Sequence, residues 1–260
     1  MKTVIFAGGF GTRIASQGSR VPKPMIELGG KPILWHIMES YARQGFDDFV
    51  VALGFRAEVI KEYFSHFHER NSDLTVNLQD GKVEIHASQA PQWRVTLVDT
   101  GIDTMTGGRL RRLADHIDAP FMLTYGDGLS NVNLDKLLDF HSERECLLTV
   151  TAVNPSSRYG RLDIGDDGLV SRFEEKPEFE DSWVNGGFMV VQPEVVELIS
   201  ADHDVFETDT MPRIAGMGRM SAFRHTGFWH SMDTLRDKQD LESIIASGRT
   251  PWIRDSASDV

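Results

Sequence analysis

The chain contains a single cysteine, Cys146, so no disulfide can close within it. The surrounding "ERECLLTVTAV" reads as strand, and Cys146 is expected to be a buried structural thiol without a histidine partner. No apolar run is long enough to span a bilayer. The opening "MKTVIFAGG" breaks at its glycines before it could serve as a signal peptide, which predicts a cytoplasmic protein. Cations are in deficit: 27 Lys and Arg stand against 39 Asp and Glu, a formal net charge of -12. Nucleic acid and anionic membranes demand clustered Lys and Arg, so neither is expected as a partner.

Standard phosphate loops are absent as well. In Gly9-Phe10-Gly11-Thr12-Arg13-Ile14 an Ile stands where the dinucleotide motif needs its last Gly. No Gly-Lys-Ser/Thr follows Gly8 or Gly9, which excludes a Walker A loop.

What is present is strand-helix alternation. "KTVIFA" (2–7), "DFVVAL" (48–53), "FMLTYGDG" (121–128) and "CLLTVTAV" (146–153) are apolar runs suited to strands covered on both faces. Between them lie helical stretches at 32–45, 57–67 and 134–143, the first opened by Pro32 and closed by Gly45. The pattern predicts an α/β fold: a mostly parallel sheet with helices on both faces. Hairpins are expected as insertions, in the short alternating segments of 74–99 around Asp80-Gly81 and in 161–177 around 165–168. "NGGFMVVQ" reads as strand, and helices are expected at about 193–200, 209–216 and 233–246. The chain reads as one domain over 1–254, with 255–260 as a frayed tail.

Ligands of such sheets bind beyond the carboxyl ends of the strands, where the 8–13 loop and Gly126-Asp127-Gly128 fall. Gly8, Gly9 and Gly11 expose backbone N–H groups suited to an anion. Arg13 follows, and Lys23 is held stiffly between Pro22 and Pro24. A Gly-rich turn with two solvated cations fits the same residues. Asp127, between two glycines, can approach a divalent cation closely. Asp233 in "GFWHSMDT" is either a second such ligand or the cap of the helix after it. Glu175-Lys176 could hold sugar hydroxyls and a phosphate, or form an exposed ion pair at a strand end.

Taken in order, "AGGFGTR", "PKP", "YGDG", "FEEKP" and "NGGF" resemble the sugar-1-phosphate nucleotidyltransferases. "VTLVDTG" with "MTGGRL", and "GFW" with "MDTLRDK", are similar to the cytidylyl branch of that family, and the likeness runs to "PW" at 251–252. The resemblance implies a Rossmann-like α/β fold with a mostly parallel mixed sheet in a single domain, and a reaction in which CTP and α-D-glucose 1-phosphate give CDP-glucose and pyrophosphate. It places Ala7, Gly8, Gly9, Gly11, Thr12, Arg13, Lys23, Thr104, Arg109 and Gly126 at the nucleotide. It places Gly160, Glu175, Lys176 and Asn185 at the sugar phosphate, and Asp127 and Asp233 on Mg2+. Arg13, Lys23, Asp127 and Asp233 become the catalytic set. A homo-oligomer of hexameric size is implied too. A different pyrimidine nucleotide or a modified hexose 1-phosphate fits the same motifs. A silent sugar-nucleotide sensor should have lost Lys23 or an acidic ligand, and both are present.

Overall fold

The structure, a computed structural model, describes residues 1–11, 14, 21–155, 161–164, 168–174 and 182–254. The expected tail at 255–260 lies outside them. In chain order the principal elements are β1 (Lys2–Phe6), α1 (Ile33–Ala42), β2 (Asp48–Leu53), α2 (Ala57–Ser65), β3 (Arg94–Asp99), α3 (Thr106–Arg112), β4 (Phe121–Tyr125), α4 (Leu134–Ser142), β5 (Leu148–Val153), β6 (Met189–Val191), β7 (Met220–His225) and α5 (Leu235–Ala246).

The expected mixed sheet is present, with eight strands among the described residues. Strand β1 pairs in parallel with β2 on one side and β4 on the other, and β2 pairs in parallel with β3. Beyond β4 comes β6, antiparallel to both β4 and β5, and β5 carries β7 in parallel. Residues of a strand alternate between faces. Ile5, Phe49 and Val51 accordingly join one core, which includes Ile33, Leu34, Ile37 and Met38 of α1. Val4, Phe6, Val50 and Ala52 join a second core with Leu110 of α3 on the opposite face. Helices therefore cover both faces, and each fully buried large apolar side chain contributes about 1.5–3 kcal/mol.

Several local expectations changed. "RVTLVDT" is not an inserted segment but β3, at an edge of the central sheet. The true hairpin pairs Ser72–Val76 with Val83–Ser88, around Gly81 at φ +73°. The second hairpin pairs Arg161–Ile164 with Val170–Glu174 as expected. "NGGFMVVQ" is two strand pieces, Val184–Asn185 and β6, interrupted at Gly186–Phe188. The stretch near 193–200 is a 3-10 helix, Pro193–Leu198. The stretch near 209–216 begins earlier, as a π-helical turn at Phe206–Thr210 that runs into a helix at Met211–Gly216. Cys146 is partly exposed and precedes β5, so it is not a buried strand thiol. Among the described residues no helix is long and apolar enough to cross a membrane.

Candidate active site

The chain leaves β1 toward β2 on one side and returns as β4 on the other. The loops after β1 and β4 therefore diverge and open a crevice at their carboxyl ends. Gly126 N–H donates to the Phe6 carbonyl at 2.9 Å, which fixes the two loop starts together. Gly11 sits at φ +60°, and a Cβ there would come within 2.8 Å of the Lys23 Cβ. A side chain is thus excluded where the glycine loop passes over Lys23.

Lys23 begins a 3-10 turn, Lys23–Met25, directly after Pro22. Its Nζ donates to Asp127 Oδ2 at 2.5 Å and to Asp233 Oδ1 at 2.9 Å. The lysine side chain is only 13% exposed. Burial alone would lower its pKa, but the Asp127 and Asp233 carboxylates reverse this and hold it above the ordinary 10.5.

A small ladder joins the two aspartates across a long stretch of sequence. Trp229–Ser231 pairs antiparallel with Gly128–Ser130, and Met232 N–H donates to the Asp127 carbonyl at 2.8 Å. The capping alternative for Asp233 does not hold. The cap of α5 is Thr234, whose hydroxyl accepts from Asp237 N–H at 3.2 Å. Asp237 Oδ2 in turn accepts from the Asp233 and Thr234 N–H groups at 3.0 and 2.7 Å, a reciprocal capping box. The Asp233 carboxylate is left to meet Lys23 and to accept from Ser231 Oγ at 3.0 Å. Two carboxylates already converging on one cationic centre form a donor set that fits a divalent cation.

Two cavities share this pair. One, of about 290 Å³, is lined by Ala7, Gly9, Gly11, Lys23, Thr106 and Gly126, among others. The other, of about 240 Å³, is lined by Thr124, Asn185, Gly186, Trp229 and Ser231. Asp127, Asp233 and Tyr125 border both. A larger aromatic hollow of about 350 Å³, at Trp35, Phe64, Phe67 and Trp93, contains none of these residues.

The structure thus gathers Ala7, Gly9, Gly11, Lys23, Gly126, Asp127, Asn185 and Asp233 around one crevice. Thr12, Arg13, Gly160, Glu175 and Lys176 lie outside the described residues. Thr104 is buried. Arg109 differs from its expected role. It is 4% exposed, and its guanidinium donates to the carbonyls of Gly8, Leu53, Gly101 and Ile102 and to Thr100 Oγ1, at 2.7–3.3 Å. It fastens the glycine loop from beneath, with both terminal guanidinium nitrogens already engaged. Burial lowers its pKa, with Asp99 acting in the opposite direction.

Sequence reasoning missed Tyr125, Thr106 and Glu207. Tyr125 Oη donates to Glu207 Oε1 at 2.6 Å, and Thr106 Oγ1 donates to Oε2 at 2.6 Å. Burial, then the Glu207 charge, push the Tyr125 phenol well above its usual pKa. Tyr125 and Thr106 stand inside "YGDG" and "MTGGRL" with no role assigned to them by those motifs, whereas "FETDT" carries no motif at all.

A family model described as nucleotidyl transferase matches residues 2–241. The chain is 44% identical to the glucose-1-phosphate cytidylyltransferase of Salmonella typhi, over 97% of this chain and 98% of that protein. It is 38% identical to a probable glucose-1-phosphate cytidylyltransferase of Bacillus subtilis, over 97% and 99%. HddC from Yersinia pseudotuberculosis shares the fold with a TM-score of 0.69 at 24% identity, covering 94% of this chain and 99% of that one. A glycine loop over Lys23, two acidic strand-end neighbours and a family match across nearly the full length lead to one conclusion: the chain belongs to the nucleotidyl transferase family.

Proposed function

We propose that the chain transfers a cytidylyl group from CTP to α-D-glucose 1-phosphate, giving CDP-glucose and pyrophosphate. One observation carries the reading: Lys23, Asp127 and Asp233 meet at the wall between a glycine-loop cavity and a cavity lined by Asn185. Two phosphorylated substrates placed in adjoining cavities would bring their phosphates to that wall. The names and coverage of the Salmonella and Bacillus relatives support CTP and glucose 1-phosphate as the pair.

The sugar phosphate oxygen attacks the α-phosphorus of CTP in line. A new P–O bond forms as the bond to the β-phosphate oxygen breaks, and the electron pair leaves with pyrophosphate. The nucleophile is already ionised, so no general base is needed. Rate enhancement comes from positioning and charge neutralisation. Lys23 donates toward the α-phosphate, and the N–H groups of Gly8, Gly9 and Gly11 cradle the chain. Arg13 steadies the leaving pyrophosphate, Lys176 meets the sugar phosphate, and Glu175 and Asn185 hold sugar hydroxyls. Asp127 and Asp233 would hold a divalent cation, Mg2+, which supplies neutralisation of the phosphate charge. The enzyme is read as a cytoplasmic homo-oligomer of hexameric size, with no nucleic acid or membrane as partner.

Pyrophosphate release is measured with CTP, UTP, dTTP, ATP and GTP, each with glucose 1-phosphate. CTP is expected to lead, because unmatched polar groups on the base are penalised strongly. Equal or better turnover with dTTP would overturn the cytidylyl assignment.

A further inference from the structure

We propose that Glu207 is a positioning residue that sets the two substrate cavities against each other by fixing Tyr125, the aromatic side chain common to both. The inference rests on the reading above, which puts the nucleotide in one cavity and the sugar phosphate in the other.

Four polar side chains form one line across the site. Asn185 Nδ2 donates to Tyr125 Oη at 3.3 Å. Tyr125 Oη donates to Glu207 Oε1, and Thr106 Oγ1 donates to Glu207 Oε2, both at 2.6 Å. Thr106 borders the glycine-loop cavity, Asn185 borders the other, and Tyr125 borders both. The line has a fixed direction. An ionised carboxylate only accepts, so both hydroxyls must point their protons at Glu207. The phenol oxygen is then an acceptor toward Asn185 and the second cavity. Hydrogen bonds to a charged acceptor are the stronger kind, so the ring is held firmly.

The backbone that delivers Glu207 is unusual. It lies in the π-helical turn Phe206–Thr210, a form that occurs mostly as single turns and often at functional sites. The turn is pinned on both sides of the carboxylate. Phe206 is fully buried and lies edge-on to Phe6 at the end of β1, with ring centroids 6.5 Å apart. Phe206 N–H donates to Thr106 Oγ1 at 2.9 Å, and Val205 N–H donates to Asp209 Oδ2 at 2.7 Å. A carboxylate on such an anchored turn holds its partners in one geometry. Tyr125 lies one residue from Gly126 and two from Asp127, so a shift of its ring disturbs the wall where the two phosphates meet.

The test uses the full chain with Glu207→Ala, Glu207→Gln, Tyr125→Phe and the Glu207→Ala/Tyr125→Phe double variant. A screen of nucleotides and sugar 1-phosphates on the wild type first fixes the substrate pair. A pair other than CTP and glucose 1-phosphate would correct the functional reading, and the comparison then proceeds with that pair. Michaelis parameters for each substrate and thermal midpoints are measured for every variant. Glu207→Ala and Tyr125→Phe should each raise the sugar phosphate KM about tenfold, the scale of one hydrogen bond to a charged group, and lower kcat. The nucleotide KM should move far less. The double variant should be within about twofold of the worse single one, because the two residues act as one unit. Glu207→Gln, which keeps the acceptor for Tyr125, should recover most of the loss at an unchanged thermal midpoint. An unaltered sugar phosphate KM, additive losses, or a fall in all parameters together with the thermal midpoint would each overturn the proposal.

Discussion

Lys23 stands between Asp127 and Asp233, its Nζ 2.5 Å from one carboxylate and 2.9 Å from the other, where a cation shared by both would sit. A divalent cation held there would compete with the ammonium for the same oxygens. Lys23→Met removes the competitor and leaves two partly buried carboxylates facing each other. Its affinity for Mn2+ without nucleotide, read by titration calorimetry, should rise on the order of tenfold, while turnover falls. Unchanged or weaker Mn2+ binding would count against a shared cation position.

The same pair sets a pH dependence. The folded-state pKa of Lys23 is raised above 10.5 by its two carboxylates. A group raised on folding contributes stability that is fully present below its unfolded pKa and is lost as pH rises through the folded value. Chemical denaturation should therefore show this contribution intact at neutral pH and declining only at alkaline pH, above about 10.5. Lys23→Met should lack that part of the alkaline decline. Identical alkaline profiles for the two proteins would contradict the linkage.

Asp233→Asn should fold as the wild type does, because Thr234 and Asp237 carry the cap of α5. Its turnover should drop about a hundredfold or more, and saturation should need far more Mg2+. Asp127→Asn should behave alike, and the double variant should be little worse than either single one. Near-normal turnover of Asp233→Asn at ordinary Mg2+ would remove Asp233 from the metal site. Thr234→Ala provides the counterpart: about 1 kcal/mol of stability lost in urea unfolding, the usual cost of a missing cap.

Much of this arrangement was legible in the chain. Continuous apolar runs such as "KTVIF" and "DFVVAL" mark strands buried on both faces, and they are β1 and β2. "RVTLVD" alternates like the hairpin before it because β3 is an edge strand with half-buried residues, so pattern alone did not separate them. The aspartate pair was named from its motifs, but only the Trp229–Ser231 ladder brings Asp233 beside Asp127. The competing capping role was open because Asp233 and Thr234 are both good caps, and the Thr234–Asp237 spacing was the signal that decides between them. Glu207 was not legible. A π turn shifts the register by one residue, and no helical periodicity marks the position that faces the site.

Arg109→Lys should destabilise the protein by about 2–4 kcal/mol in urea unfolding, since an ammonium has three donors and no planar fork. The carbonyls of Gly8, Leu53 and Gly101 would be left partly unmatched in a buried place. A change under about 0.5 kcal/mol would mean that water substitutes freely there.

The position of Arg109 has a further effect, on potential rather than on structure. The ends of β1, β2 and β3 bring the carbonyl oxygens of Gly8, Leu53 and Gly101 together, and left bare these oxygens would turn the negative side of their dipoles to an arriving anion. The guanidinium stays charged and lies directly under three of these ends, after β1, β2 and β3. It turns a repelling rim into an attracting floor. A protein of net charge -12 thereby keeps one buried cation beneath its glycine loop, the place where the proposed reaction would need a polyphosphate to settle against the general repulsion of the surface.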